Sequence, residues 1–304
     1  MCALYWNLTM QLIAELHTIR DFIRFATSQF NENALFYGHG TDNAWDEAVA
    51  LILRTLHLPF DINPSLILDA KLTLSEREKL QHLIERRIKE RIPVPYLTHE
   101  AWFANLSFYV DERVLIPRSP FAELIENRFS PWLSEEPLNI LDLCTGSGCI
   151  AIACAKTFPE SVVDAIDISE DAIAVAKINV LRHHVEDQVN LHLSDLFSGL
   201  PPKKYDLIVS NPPYVDARDM AELPLEFHHE PKLGLEAGSD GLQIVTRILE
   251  NAKNYLTPEG IIIVEVGNSE HALAEKFPEI PFTWLEFERG DGGVFMLNAK
   301  DLNI

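Results

Sequence analysis

Asn139-Ile140-Leu141-Asp142-Leu143-Cys144-Thr145-Gly146-Ser147-Gly148-Cys149-Ile150-Ala151 decides the fold. An apolar run passes into a glycine-containing loop, and a helical pattern carried by Ile150, Ala153 and Cys154 follows. Gly146 and Gly148 permit a tight turn and close approach of backbone to a ligand, with the free N–H groups of a starting helix beyond. A second apolar run, Val162-Val163-Asp164-Ala165-Ile166, ends at Asp167, 21 residues after Gly146. A carboxylate at that offset is placed to accept hydrogen bonds from ribose hydroxyls. A third run, Val189 to Leu193, ends at Ser194-Asp195-Leu196-Phe197, where a carboxylate, a backbone N–H and an apolar wall suit an adenine ring. The fourth, Tyr205 to Ser210, ends at Asn211-Pro212-Pro213-Tyr214. Strands alternating with helices predict an α/β fold with a doubly wound, mostly parallel sheet, whose ligands sit outside the carboxyl ends of the strands.

The tetrapeptide explains what those strand ends are for. Proline donates no N–H and pushes the preceding residue into an extended conformation, so Asn211-Pro212 closes a strand. It then offers an amide side chain, carbonyls released from the ladder and an aromatic face, a set able to grip a planar group carrying an NH2. Taken singly, the tetrapeptide is a strand-ending turn and each acid a solvated turn residue. Four such elements in this order are a binding site. Gly146-x-Gly148-x-x-Ala151 also satisfies the dinucleotide fingerprint, which makes a nicotinamide-dependent oxidoreductase the competing reading. Asp142 counts against it, because a negative charge four residues before Gly146 suits an ammonium or sulfonium better than a pyrophosphate. The tetrapeptide counts against it too, having no role in hydride transfer.

These stretches resemble the class I S-adenosylmethionine-dependent methyltransferases of the HemK/Prm protein-glutamine branch. The matching residues are Asp142 to Gly148, Asp167, Ser194 to Phe197, Asn211 to Tyr214, Glu230-Pro-Lys-Leu-Gly-Leu235 with Asp240-Gly-Leu242, and Glu265-Val-Gly267. Tyr109-Val-Asp-Glu-Arg-Val-Leu-Ile-Pro-Arg-Ser-Pro120 is similar to the PrmB type, which methylates a glutamine of a large-subunit ribosomal protein of the L-three type. Release-factor enzymes of the branch continue Pro-Arg with an acidic residue and Thr-Glu, whereas here Ser119-Pro120 follows Arg118. The resemblance implies a seven-stranded sheet with an antiparallel final strand and S-adenosylmethionine as cofactor. It places Asp142, Cys144, Thr145, Gly146, Ser147 and Gly148 around the methionine part and ribose, with Asp167 on the ribose hydroxyls. Asp195 and Leu196 would border the adenine, and Asn211, Pro212, Pro213 and Tyr214 would hold the substrate amide, Asn211 also lying beside the cofactor. Cys144 stands where the wider class often has glycine, so a positive φ there would strain it.

Composition reads as an ordinary soluble globular protein long enough for two domains: 304 residues, 47% apolar and 23% charged. Residues 1–110 hold 13 acidic and 10 basic residues, leaving 33 and 15 in residues 111–304. A catalytic part this acidic repels a phosphate backbone and suits a basic ribosomal protein, free or within an assembling large subunit. DNA and membrane are not expected partners. The first Lys or Arg is Arg20 and no apolar run approaches a membrane span, so a cytoplasmic location is expected. Cys144, Cys149 and Cys154 match no zinc pattern and read as small core residues, and His183-His184 and His228-His229 complete no metal site.

Three apolar stripes precede the catalytic part: Leu12, Leu16, Ile19, Ile23 and Ala26; Ala48, Leu51, Ile52 and Leu56; Leu80, Leu83, Ile84 and Ile88. They predict a small helical domain over 1–92, serving substrate recognition. A linker over 93–120 then carries a β-hairpin marked by Phe103, Leu106, Phe108 and Val110, and the methyltransferase domain spans 121–304. The charges of the third stripe, Arg87 among them, read as a solvated mixed-charge face. Residues 215–239, long and rich in acids and prolines, read as a substrate-facing lid. The expected activity is methyl transfer from S-adenosylmethionine to a glutamine amide of the ribosomal protein. A release-factor glutamine methyltransferase, an enzyme methylating adenine or cytosine amino groups of nucleic acid, and a non-catalytic binding module are the alternatives.

Overall fold

The computed structural model describes residues 14–59, 62–200, 202–288 and 292–302; Cys2 and Leu12 lie outside them. Its chain divides into two compact units, the first reaching Glu100 and including Pro224–His229, the second holding Ala101–Leu223 and the chain from Glu230 onward. The division therefore falls between Glu100 and Ala101. The hairpin expected within a linker belongs to the second unit, and a short piece of the 215–239 segment belongs to the first.

In the first unit the three stripes form α1 (Ile19–Glu32), α2 (Ala44–Thr55) and α3 (Leu74–Glu90). Thr18 with Asp21 and Thr73 with Glu76 build reciprocal capping boxes that start α1 and α3. The stripe residues Ile23, Ala26, Ala48, Leu51, Leu80 and Ile84 meet in one apolar cluster. Arg87 departs from the expected solvated face, being only 1% exposed. Its Nε donates to Glu47 Oε1 at 2.8 Å, its Nη1 to Glu226 Oε1 at 3.2 Å and its Nη2 to the Phe36 carbonyl at 2.8 Å. A guanidinium tolerates burial when its fork is this fully matched. Glu226 arrives from 139 residues downstream, so charge patterning along α3 could not reveal the pair.

The second unit opens with β1 (Ala101–Phe103) and β2 (Leu106–Phe108), an antiparallel hairpin. Its two turn residues, Ala104 and Asn105, both take positive φ (46° and 60°), as a two-residue turn matched to strand twist requires. A seven-stranded sheet follows, made of β3 (Asn139–Leu143), β4 (Val162–Asp167), β5 (Val189–Leu193), β6 (Tyr205–Ser210), β7 (Leu256–Glu265), β8 (Thr283–Trp284) and β9 (Val294–Asn298). Their order is β5-β4-β3-β6-β7-β9-β8. β3 to β7 pair in parallel, while β9 runs antiparallel to both β7 and β8. The antiparallel final strand is as expected; two-residue β8 is too short to leave a pattern.

Period-two side chains divide the core between the two faces of the sheet. Ile140, Leu207, Val209, Ile261 and Ile263 enter the cluster beneath α4 (Phe121–Glu126) and α5 (Cys149–Thr157). Leu141, Leu143, Ile208, Ile262 and Val264 face the other way, toward α7 (Gln243–Ala252). Leu242, Val245, Ile248, Leu249 and Ala252 are buried there, and Leu256, buried with them, opens β7. Cys149 and Cys154 are buried and form no disulfide, as expected of core residues, whereas Cys144 is only half-buried because the loop turns it out of the core.

α6 (Glu170–His183), between β4 and β5, carries one amide that holds the glycine loop in place. Asn179 is fully buried. Its Nδ2 donates to the Ser147 carbonyl (2.9 Å) and the Tyr109 carbonyl (3.0 Å), and its Oδ1 accepts from Tyr109 N–H (2.7 Å). Asn179→Leu removes those three hydrogen bonds and is expected to cost roughly 2–3 kcal/mol, measured by urea unfolding. A loss under about 0.5 kcal/mol, typical of surface substitutions, would show that Asn179 does not hold the loop.

Candidate active site

The register of the sheet brings the sequence elements together. Leu143 pairs with Ile166 on one side and Ser210 on the other, so the residues following each strand leave from one edge. Ser210 Oγ donates to the Leu143 carbonyl at 2.8 Å and Thr145 N–H to the Ile166 carbonyl at 2.9 Å, tying β3 to both neighbours just where the loops begin. A cavity opens at this edge. Cys144, Thr145, Gly146, Ser147, Asp167, Asp195, Leu196, Asn211 and Pro213 all line it. Asp142, Gly148, Pro212 and Tyr214 are not among its lining residues.

The glycine loop sits over Asp167. Gly146 N–H donates to Asp167 Oδ2 (2.9 Å) and Ser169 N–H to Oδ1 (2.9 Å). Burial pushes this carboxyl above its usual range, and those backbone bonds pull the other way. With about four lone-pair sites facing the backbone N–H groups of Gly146, Ser169 and Ile168, the carboxylate keeps acceptor capacity for a ligand hydroxyl. Cys144 takes φ +61°, the strained conformation expected if it replaced glycine, and Leu196 takes φ +50°. Two L residues held in the left-handed region on one cavity wall are strained backbone of the kind that collects at ligand sites. Ile168, Leu196 and Ile244 supply apolar surface beside Asp195. Asp195 Oδ2 itself takes a hydrogen bond from Arg247 Nη2 at 2.8 Å.

Asp142 lies under the loop and is fully buried. Its Oδ2 accepts from Thr145 Oγ (2.6 Å) and from the Ala151 N–H in the first turn of α5 (3.1 Å). Its Oδ1 has no hydrogen-bond partner. The residue thus supports the loop from below, outside the cavity lining.

Tyr214, expected on the substrate amide, is tied to the end of β7. Its hydroxyl donates to Glu265 Oε1 at 2.9 Å, and a Cβ at Gly267 would lie 2.6 Å from the ring. Several cavity residues carried no assigned role from sequence: Arg113, Leu115, Pro117, Arg118, Ser119, Leu233 and Arg247. Arg118 grips Glu230 with Nη1–Oε1 2.6 Å and Nη2–Oε2 2.8 Å. Both residues stand in the quoted motifs, but their pairing spans 112 residues and only folding reveals it. Leu233 and Glu236 show that part of the 215–239 segment does face the cavity. Among the described residues no three His, Cys, Asp or Glu side chains gather as a metal site.

A doubly wound, mostly parallel sheet of seven strands with a cavity at its carboxyl edge is the fold of the class I methyltransferases. Residues 131–238 match the methyltransferase small domain family. The hMettl16 catalytic domain, solved with an RNA hairpin, shares the fold at a TM-score of 0.51 and 18% identity, over 74% of this chain and 81% of its own. Far closer in sequence are two ribosomal protein uL3 glutamine methyltransferases. The one from Francisella tularensis is 48% identical over 96% of this chain and 93% of its own length. The one from Neisseria gonorrhoeae is 52% identical over 96% and 98%. The chain belongs to this family of glutamine methyltransferases, as its motifs led one to expect.

Burial pushes the Asp142 carboxyl up to about 7, with a smaller push from the Asp167 charge and opposition from its two hydrogen bonds. The unfolded value is near ~3.9, so the folded state holds the proton more tightly. The cost of Asp142 to stability therefore grows as pH rises from about 4 to about 7 and is constant above that. Asp142→Asn should exceed the wild type in urea stability by roughly 2–3 kcal/mol more at pH 8 than at pH 5. A gap independent of pH would mean that Asp142 does not titrate in this window.

Proposed function

We propose that the protein transfers a methyl group from S-adenosylmethionine to the side-chain amide nitrogen of a glutamine in ribosomal protein uL3. The observation that carries this is the shared cavity: Asn211 and Pro213 line the same space as Cys144 to Ser147 and Asp167. Relatives bearing that activity in their names match nearly the whole chain. The strong excess of acid over base in residues 111–304 suits a basic substrate, whether free or in an assembling subunit. A ribosomal substrate carries with it a cytoplasmic location, and the helical unit, which the chemistry does not need, is our candidate for recognising the substrate.

The residues present fit this cofactor. Asp167 has acceptor capacity for ribose hydroxyls, Ile168, Leu196 and Ile244 offer faces for a purine, and the partnerless Oδ1 of Asp142 leaves buried negative potential beneath the loop. When bound, S-adenosylmethionine supplies a methyl carbon already activated by a positive sulfur. A carboxamide nitrogen is a weak nucleophile because its lone pair is delocalised into the carbonyl, so the protein's task is mainly alignment, worth several kcal/mol. In our reading the Asn211 side-chain oxygen and the Pro212 carbonyl accept the two amide N–H groups. That turns the nitrogen lone pair outward and stabilises positive charge as it develops there. No strong general base is required.

Asn211→Ala should lower kcat on uL3 by roughly 10²–10³-fold while the dissociation constant for the cofactor changes less than about threefold. Equal losses in both would contradict the role. The substrate is tested by incubating the protein with labelled S-adenosylmethionine and extract from cells lacking the enzyme, and identifying the labelled band. Label in a release factor or in nucleic acid, and not in uL3, overturns the substrate assignment.

A further inference from the structure

Glu265 is the last residue of β7 and is buried, yet it is not among the residues lining the cavity. Its two oxygens are divided between two segments that do border it. Oε1 accepts from Tyr214 Oη at 2.9 Å, and Oε2 accepts from Ser119 Oγ at 2.5 Å. Ser119 lines the cavity and also accepts from Phe121 N–H at 3.2 Å, which fixes it at the start of α4. Next to it, Arg118 is held by Glu230. On the other side Tyr214 is half-buried and held at several points. Ser269 Oγ donates to its carbonyl at 3.2 Å, a Cβ at Gly241 would lie 2.5 Å from that carbonyl oxygen, and Gly267 lies against its ring. Hydroxyl, ring and carbonyl of the residue that ends the tetrapeptide are thus each held by internal contacts, and Glu265 is where those contacts join the Pro117–Ser119 wall.

We propose that Glu265 is a positioning residue for methyl transfer, fixing Asn211–Pro213 against the Ser119 wall by accepting the Tyr214 and Ser119 hydroxyls together. A carboxylate does this with two acceptor oxygens; an amide offers one acceptor and one donor, so one hydroxyl must reverse or lose its partner. The loop-to-tetrapeptide distance then loosens at the amide end of the cavity, while Asp167 and the glycine loop at the other end stay as they are. The inference rests on the reading of Asn211 given above, and its test has a part that needs no substrate.

Three variants, Glu265→Gln, Tyr214→Phe and Ser119→Ala, are compared with the wild type. Hydrogen exchange without substrate should be at least about tenfold faster at the Asn211, Tyr214 and Val215 amides in Glu265→Gln, and unchanged over Asn139–Gly148. On uL3, Glu265→Gln should lower kcat roughly 10–100-fold with cofactor affinity within about twofold of wild type. Adding Tyr214→Phe to Glu265→Gln should cost little more than Glu265→Gln alone, since residues acting as one unit are not additive. Unaltered exchange at those amides overturns the proposal, as does parallel loss of kcat and cofactor affinity in all three variants. Failure of the wild type to label uL3 would defeat the substrate reading instead, with the exchange result still deciding the role of Glu265.

Discussion

The pairing of β3 with β6, Leu143 opposite Ser210, is the constraint on which the site depends. It places the glycine loop and the Asn-Pro-Pro-Tyr stretch at neighbouring exits from one sheet edge, and the Ser210 Oγ bond to the Leu143 carbonyl locks it there. Because side chains alternate with period two, a slip of one residue would exchange the two apolar faces of β6. Leu207 and Val209 would then face α7, and Ile208 would face α5. The hydrophobic pattern that stabilises the sheet therefore also sets which residue of β6 stands beside the loop. Here the packing and the chemistry are one constraint.

Around that edge the chain accepts local costs that a purely structural sheet would not need. Cys144 and Leu196 adopt left-handed backbone, and Asp142 keeps a charge-bearing group in the interior with one oxygen unpartnered. These features border the cavity, while the core beneath is aliphatic and aromatic packing in two layers. Polar side chains from distant parts of the sequence hold the edge in shape: Asn179 from α6, Glu230 through Arg118, and Glu265 through Tyr214 and Ser119. The first steadies the loop, and the other two steady the opposite wall.

Much of this was legible in the sequence, for a physical reason. Strand ends, the two glycines and the acid at Asp167 are local signals, written within a few residues of where they act, and parallel topology gathers them without further instruction. Most of the site residues do line the cavity, as that logic demands. What escaped were roles made by long-range pairing. Arg87 looks like one more surface charge on α3 until Glu47 and Glu226 meet it. Asn179 reads as an ordinary helical residue, and Glu265 as a motif letter without a task. The resemblance placed Tyr214 on the substrate amide, and nothing local announced that its hydroxyl would find Glu265, 51 residues on. A proline-rich segment gave no sign that Pro224–His229 would join the helical unit, since that depends on the same Glu226 ion pairs.

The most direct measurement is a crystal structure of the protein with S-adenosylhomocysteine and a glutamine-containing peptide of uL3. The expected result is a carboxamide whose nitrogen lies within hydrogen-bond reach of Asn211 Oδ1, about 3 Å, and faces the cofactor sulfur, with the ribose on Asp167. A carboxamide bound away from Asn211, or a sulfur atom remote from that residue, would contradict it.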